Sequence, residues 1–265
     1  MMLSIRVPDI KILNESCKDK HCECTKPALD VSKDLQKLML RLKSEFMTRD
    51  GKSVDYVQLK KSPLFSQYEQ QAKAISNINL ITLNENEKIA FFIILDVQLF
   101  WKTTAYHIGG HVFSLDDIEH GILRGNRPHP GSKTPPFKDN DPRRSFVVKV
   151  FDPRVHFALV CGAKSCPAVQ VYTAENLSFA LDAATRSFCE QEVKVYEMRK
   201  EIHVSQIFQW YCADFGRNDV EAVRWTIPYL STEKQGVLKH LLYTLEEHGM
   251  VDLTYIEYDW KLNAV

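Results

Sequence analysis

The segment Asp152-Pro-Arg-Val-His-Phe-Ala-Leu-Val-Cys-Gly-Ala-Lys-Ser-Cys-Pro167 holds the densest set of reactive residue types in the chain. Cys166 could act as a nucleophile, His156 as its base, and Arg154 or Asp152 as an orienting group, which is the constellation of a thiol-dependent hydrolase or acyltransferase. A thiol close to an imidazolium or to Lys164 has its thiolate favoured. Read as a strand, Val155 to Cys161 places His156, Ala158 and Val160 on one face and Cys161 on the other. His156 and Cys166 can then meet only if the chain folds back after Gly162. The structural reading competes, because cysteine is among the most buried residue types and a strand histidine often serves the core. The residue types alone favour that second reading.

Other clusters carry less. Cys161 and Cys166 lack the second ligand pair that a structural zinc needs, and Cys17, His21, Cys22 and Cys24 lie too close together for tetrahedral coordination. No metal or cofactor is expected. Asp116, Asp117 and Glu119, next to His120, offset a helix dipole. Arg124, Arg127, Lys133, Lys138, Arg143 and Arg144 could meet phosphate or an acidic partner, but Asp139 and Asp141 dilute them into a solvated loop.

The elements that must position these residues follow from periodicity and punctuation. Leu35, Leu38, Met39, Leu42 and Phe46 mark an amphipathic helix ending before Gly51. Ser62-Pro63 starts another, with Phe65, Tyr68, Ala72 and Ile75 as its buried stripe. Thr82 and Glu85 have capping-box spacing ahead of an apolar helix around Ile89 to Leu95, and Ser114 and Asp117 repeat that spacing. Gly109-Gly110 predicts a hairpin between Thr103–Ile108 and His111–Ser114. Gly125 to Arg144 has no period, and a loop of that length is usually functional or mobile. Phe146–Val150 and Val155–Cys161 read as buried strands. Leu177, Leu181, Ala184 and Phe188 mark a further helix. A second hairpin is expected over Val193–Tyr196 and Glu201–Val204, Ser205 caps a helix through Trp210, and Gly249 stops a last helix. Residues 1–29 read as a polar tail or linker and 30–265 as one domain. The fold class is α/β (α+β), a small sheet with hairpins packed by several helices.

Composition narrows the function classes. Of 265 residues, 34 are basic and 34 acidic, so there is no net charge to draw the chain to nucleic acid or an anionic membrane. The longest apolar run, Ile89–Leu95, is far shorter than the ~20 residues of a membrane span. The first residues lack a secretory pattern, and seven cysteines without one fit reduced thiols in the cytoplasm.

His107-Ile-Gly-Gly-His-Val-Phe-Ser-Leu-Asp-Asp-Ile-Glu-His-Gly-Ile-Leu-Arg124, the Arg154–Pro167 segment, Ile207-Phe-Gln-Trp-Tyr211 with Asp214-Phe215, and Tyr258-Asp-Trp-Lys-Leu-Asn263 together resemble the family called domain of unknown function 547, from about Val54 onwards. The resemblance implies an intracellular regulatory setting, and because the chain lacks the family's central motif a non-catalytic regulatory or protein-interaction module with a protein partner is the first expectation, the thiol-dependent hydrolase or acyltransferase the alternative. It also implies a distant likeness to transglutaminase-like or papain-like thiol folds. The chain departs from the family pattern where Phe91-Phe-Ile-Ile-Leu-Asp-Val-Gln-Leu-Phe-Trp-Lys102 omits an Asn-x-Tyr-Asn helix segment. An internal deletion near residues 93–99, by alternative splicing or a faulty gene model, accounts for it.

Overall fold

The computed structural model describes residues 11, 12, 14, 26–48, 53–95, 104–168, 170 and 172–265. The Cys17–Cys24 cluster and the 96–99 part of the proposed deletion junction lie outside them. The fold is mixed helix and sheet, organised as two compact units: residues 1–151 with 171–177 and 262–265, and residues 152–170 with 178–261.

In the first unit, α1 (Ala28–Phe46) buries Val31, Leu35, Leu38 and Leu42 along one face. A short α2 (Tyr56–Lys61) leads to α3 (Pro63–Ala72), where Ser62 accepts a hydrogen bond from the Phe65 amide and Pro63 takes the first position, as its sequence predicts. Helix α4 (Glu85–Leu95) is buried from Lys88 to Leu95, so it runs through the middle of this unit. Its capping box is not Thr82/Glu85 but Asn84/Glu87, whose side chains each accept from the other's backbone amide at 3.0 and 2.8 Å. Thr82 instead donates to Asn79 within a 3-10 turn, which removes it from the cap.

The expected hairpin forms from β2 (Thr104–Ile108) and β3 (His111–Ser114), with φ of +53° at Gly109 and +85° at Gly110. Positive φ at both turn residues matches the right-handed twist of the strands, which is why glycine occupies both. A segment assigned from the sequence to a tail supplies a third strand, β1 (Lys11–Ile12), parallel to β2. Fully buried Asn14 then exchanges hydrogen bonds with the His107 backbone, donating to its carbonyl at 2.7 Å and accepting from its amide at 2.8 Å. Polar composition hid this contribution, because the stabilising groups are backbone and amide.

After β3, Ser114 and Asp117 form their predicted reciprocal cap. The helix they open is a π-helix (Asp117–Leu123), closed by bonds from Arg124 to Glu119 and from Asn126 to Gly121. Gly121 makes room for Phe137: a Cβ there would lie 2.4 Å from the Phe137 ring. The Gly125–Arg144 loop is therefore pinned. Phe137 is fully buried, and Asn126 both donates to its carbonyl and accepts from its amide.

In the second unit, β4 (Lys194–Tyr196) and β5 (Glu201–Ser205) form the expected hairpin, and β6 (Asp252–Ile256) adds parallel to β5. The unit also holds α5 (Leu177–Glu192), α6 (Ile207–Trp210), α7 (Cys212–Phe215), α8 (Asp219–Arg224) and α9 (Thr232–His248), of which α6 and α9 lie against the strands. Gly249, at φ +63°, ends α9 as predicted. Phe157, Phe188, Phe208, Phe215 and Trp225 interlock at the centre, with centroids 4.8 to 6.0 Å apart.

Candidate functional site

The two strands predicted around Asp152 do not form. Phe146 closes a 3-10 helix (Pro142–Phe146) and Val147–Val150 runs on as irregular chain, while Val155–Phe157 belongs to a second 3-10 helix (Pro153–Phe157). Each begins with the same device, Asp-Pro-Arg: Asp141 and Asp152 accept from the backbone amides of Arg143 and Arg154, and their carboxylates are gripped by those guanidinium groups. Proline at the first helical position loses no hydrogen bond. A fixed helix start outweighs the β-branched composition that follows it, so the face alternation expected for His156 and Cys161 does not apply.

Arg154 and Asp152 are thus brought together, with Nη2 2.7 Å from Oδ2. That bond holds the Arg154 guanidinium above its usual range. Arg154 also donates to the Ser178 carbonyl at 3.2 Å. Both residues tie down the start of the His156 turn. His156 Nε2 lies 2.8 Å from Asp214 Oδ2, and both side chains are 2% exposed. The imidazole packs on Tyr211, with centroids 4.1 Å apart, and on Phe215. Asp214 is the partner that sequence reasoning left unassigned.

Beyond Gly162, at φ +79°, the chain does fold back. It brings Cys166 Sγ to 3.1 Å from Cys161 Sγ and 3.2 Å from Tyr258 Oη, while the Cys161 amide donates to Cys166 Sγ at 3.2 Å. The loop is held by the segment after β6. Lys164 donates to the Lys261 carbonyl, and Asp259 donates to Ser165 Oγ. Gln206 accepts from the Tyr258 amide and sets that residue's position. Tyr258 packs against Trp210 and Trp260, with centroids at 5.4 and 4.5 Å.

Three donors therefore converge on one sulfur. The hydrogen bond from Cys161 holds the Cys166 thiol down to about 6 from its ordinary 9.0, and Tyr258 and the Cys161 amide act in the same direction against burial. The same bond, reinforced by burial, pushes the Cys161 thiol up, and burial pushes Tyr258 up. Cys166 is thus the more acidic of the two thiols, with Cys161 and Tyr258 placed to donate to it. Cys161 and Cys166 are both half-buried, whereas burial raises the Cys189 thiol and leaves it inert.

Residues 75–189 match the family model described as Protein of unknown function, DUF547. No curated protein and no solved structure matches the chain. The DUF547 match contains the β2–β3 hairpin, the π-helix, His156 and both loop cysteines. Asp214 and Tyr258, which engage His156 and Cys166, stand outside the matched residues.

The DUF547 match also includes a cluster that sequence reading explained as a helix start. Ligand atoms of Asp116, His120 and His129 lie within 4.8 Å of one another, a two-histidine, one-carboxylate set. His129 Nδ1 donates to the Pro130 carbonyl at 2.6 Å, which frees its Nε2. His120 is different. Arg124 can only donate, so at 2.9 Å it makes His120 Nδ1 an acceptor and puts the ring proton on Nε2. A protonated Nε2 beside a guanidinium does not suit a cation, and His120 reads as a brace of the π-helix through Arg124, which also donates to the Pro128 carbonyl at 2.9 Å. Among the described residues no helix is long and apolar enough to cross a membrane.

Proposed function

We propose that this protein is a thiol-dependent module in which Cys166 is the nucleophile, of the hydrolase or acyltransferase class. The observation that supports it most is the convergence of the Cys161 thiol, the Cys161 amide and the Tyr258 hydroxyl on Cys166 Sγ at 3.1 to 3.2 Å. A sulfur ionised by these donors attacks an electrophilic carbonyl without first needing a base. His156, paired with Asp214, then serves by fixing the turn that leads into the cysteine loop, and Arg154 with Asp152 fixes the turn's start. A reducing, cytoplasmic setting suits such a thiol.

Limiting alkylation of the folded protein at neutral pH tests this reading. Cys166 should be labelled well before Cys161, Cys189 and Cys212; equal labelling of all four, or none at Cys166, overturns it. A second reading, a non-catalytic module that binds a protein partner, is favoured by Trp260, which is 51% exposed beside the same loop. Under that reading Trp260→Ala loses the captured partners while Cys166→Ser keeps them. The deletion proposed at residues 93–99 has its own check, since a native peptide spanning Phe92 to Phe100 by mass spectrometry would reject a gene-model error.

A further inference from the structure

We infer that Cys166 and Cys161 act together as a dithiol that exchanges with disulfide substrates. This rests on the nucleophilic Cys166 proposed above and adds a second chemical role for its neighbour. Two sulfurs 3.1 Å apart need to close by only about 1 Å to reach the ~2.05 Å of a disulfide bond. The intervening loop already has the required turn, with Gly162 in the left-handed region and the Cys166 amide bonded to the Ala163 carbonyl at 3.1 Å. The two thiols are inequivalent. Cys166 receives the Cys161 amide and the Tyr258 hydroxyl while Cys161 stands at its side as a donor, and both are half-buried, the inequivalence of an attacking and a resolving thiol.

The exchange balances without a further reagent. Cys166 thiolate attacks one sulfur of a substrate disulfide, forming a mixed disulfide and releasing the other half as a thiolate, which takes a proton from water. Cys161 gives up its proton and attacks Cys166 Sγ, forming the Cys161–Cys166 bond and releasing the second half, which takes up that proton. The substrate disulfide gains two electrons and the protein dithiol loses two. A small dithiol returns the protein to its starting state by the reverse steps.

The full chain, reduced and then exposed to oxidised glutathione, gives the test. Trypsin cuts after Arg154, Lys164 and Arg186, so a Cys161–Cys166 bond links peptide 155–164 to peptide 165–186 and is read directly by mass. The linked pair should form in the wild type and disappear in Cys161→Ser, with glutathione trapped on Cys166 instead. Cys166→Ser should form neither the linked pair nor an adduct on Cys161. If the wild type gathers glutathione on Cys166 to the same extent as Cys161→Ser and forms no linked pair, the exchange role is overturned and the nucleophile stands. If Cys166 takes no glutathione in either protein and is also not alkylated preferentially, both fall.

Discussion

His156 Nε2 meets Asp214 Oδ2 at 2.8 Å with both side chains closed to solvent. Burying one partner of such a pair without the other leaves a charge or a polar ring uncompensated. Asp214→Ala should therefore cost about 3–5 kcal/mol in urea unfolding, and Asp214→Asn, which keeps a hydrogen-bonding group, distinctly less. If both variants unfold at the wild-type midpoint, the pair does not hold the His156 turn.

Cys166 gives a prediction in pH. With the thiol held down to about 6, the rate of alkylation should reach half its plateau near that pH, whereas an ordinary thiol rises towards 9.0. The sign for stability agrees: a thiol depressed in the folded state stabilises it fully above its unfolded value and loses that contribution as pH falls through about 6. Tyr258→Phe removes one donor, so the alkylation midpoint should move upwards while the plateau rate remains measurable. A midpoint unchanged by Tyr258→Phe would separate Tyr258 from the thiol.

Gly121 and Phe137 give a packing prediction. A methyl group at residue 121 would overlap the Phe137 ring, which is fully buried and pinned by Asn126. Gly121→Ala should destabilise the protein by about 1–3 kcal/mol, and Phe137→Leu in the same chain should recover part of it. Thermal unfolding of the two variants and their double distinguishes this from a simple loss of helix propensity, which an added alanine would improve.

Asn14 tests the unexpected third strand. Replacing it with alanine strips partners from the His107 amide and carbonyl, each of which costs about 1–3 kcal/mol when left unsatisfied in the interior. Hydrogen exchange at the β2–β3 hairpin should accelerate in Asn14→Ala. Unchanged protection at His107 would argue against the pairing of β1 with β2.

What the sequence discloses and what it conceals divides along chain separation. Ser62-Pro63, the Gly109-Gly110 turn and the Ser114/Asp117 cap are legible because each is settled within four residues by backbone chemistry. The strand expected at Val155–Cys161 does not form because the Asp152-Pro153-Arg154 helix start, itself a local signal, overrides the β-branched composition that follows it. The site's decisive contacts are not local. Asp214 reaches His156 across 58 residues and Tyr258 reaches Cys166 across 92, and no spacing rule anticipates them. Only the motifs around Asp214-Phe215 and Tyr258-Asp-Trp marked those residues as worth attention.

The backbone bonds by which residues 259 and 261 grip the cysteine loop have a consequence for synthesis. A growing chain that has passed Cys166 still lacks the tyrosine donor and the braces at Ser165 and Lys164 until some ninety further residues have been joined. The surroundings that set the reactivity of this thiol are therefore complete only once the chain has been made through Lys261 and has folded back onto the loop.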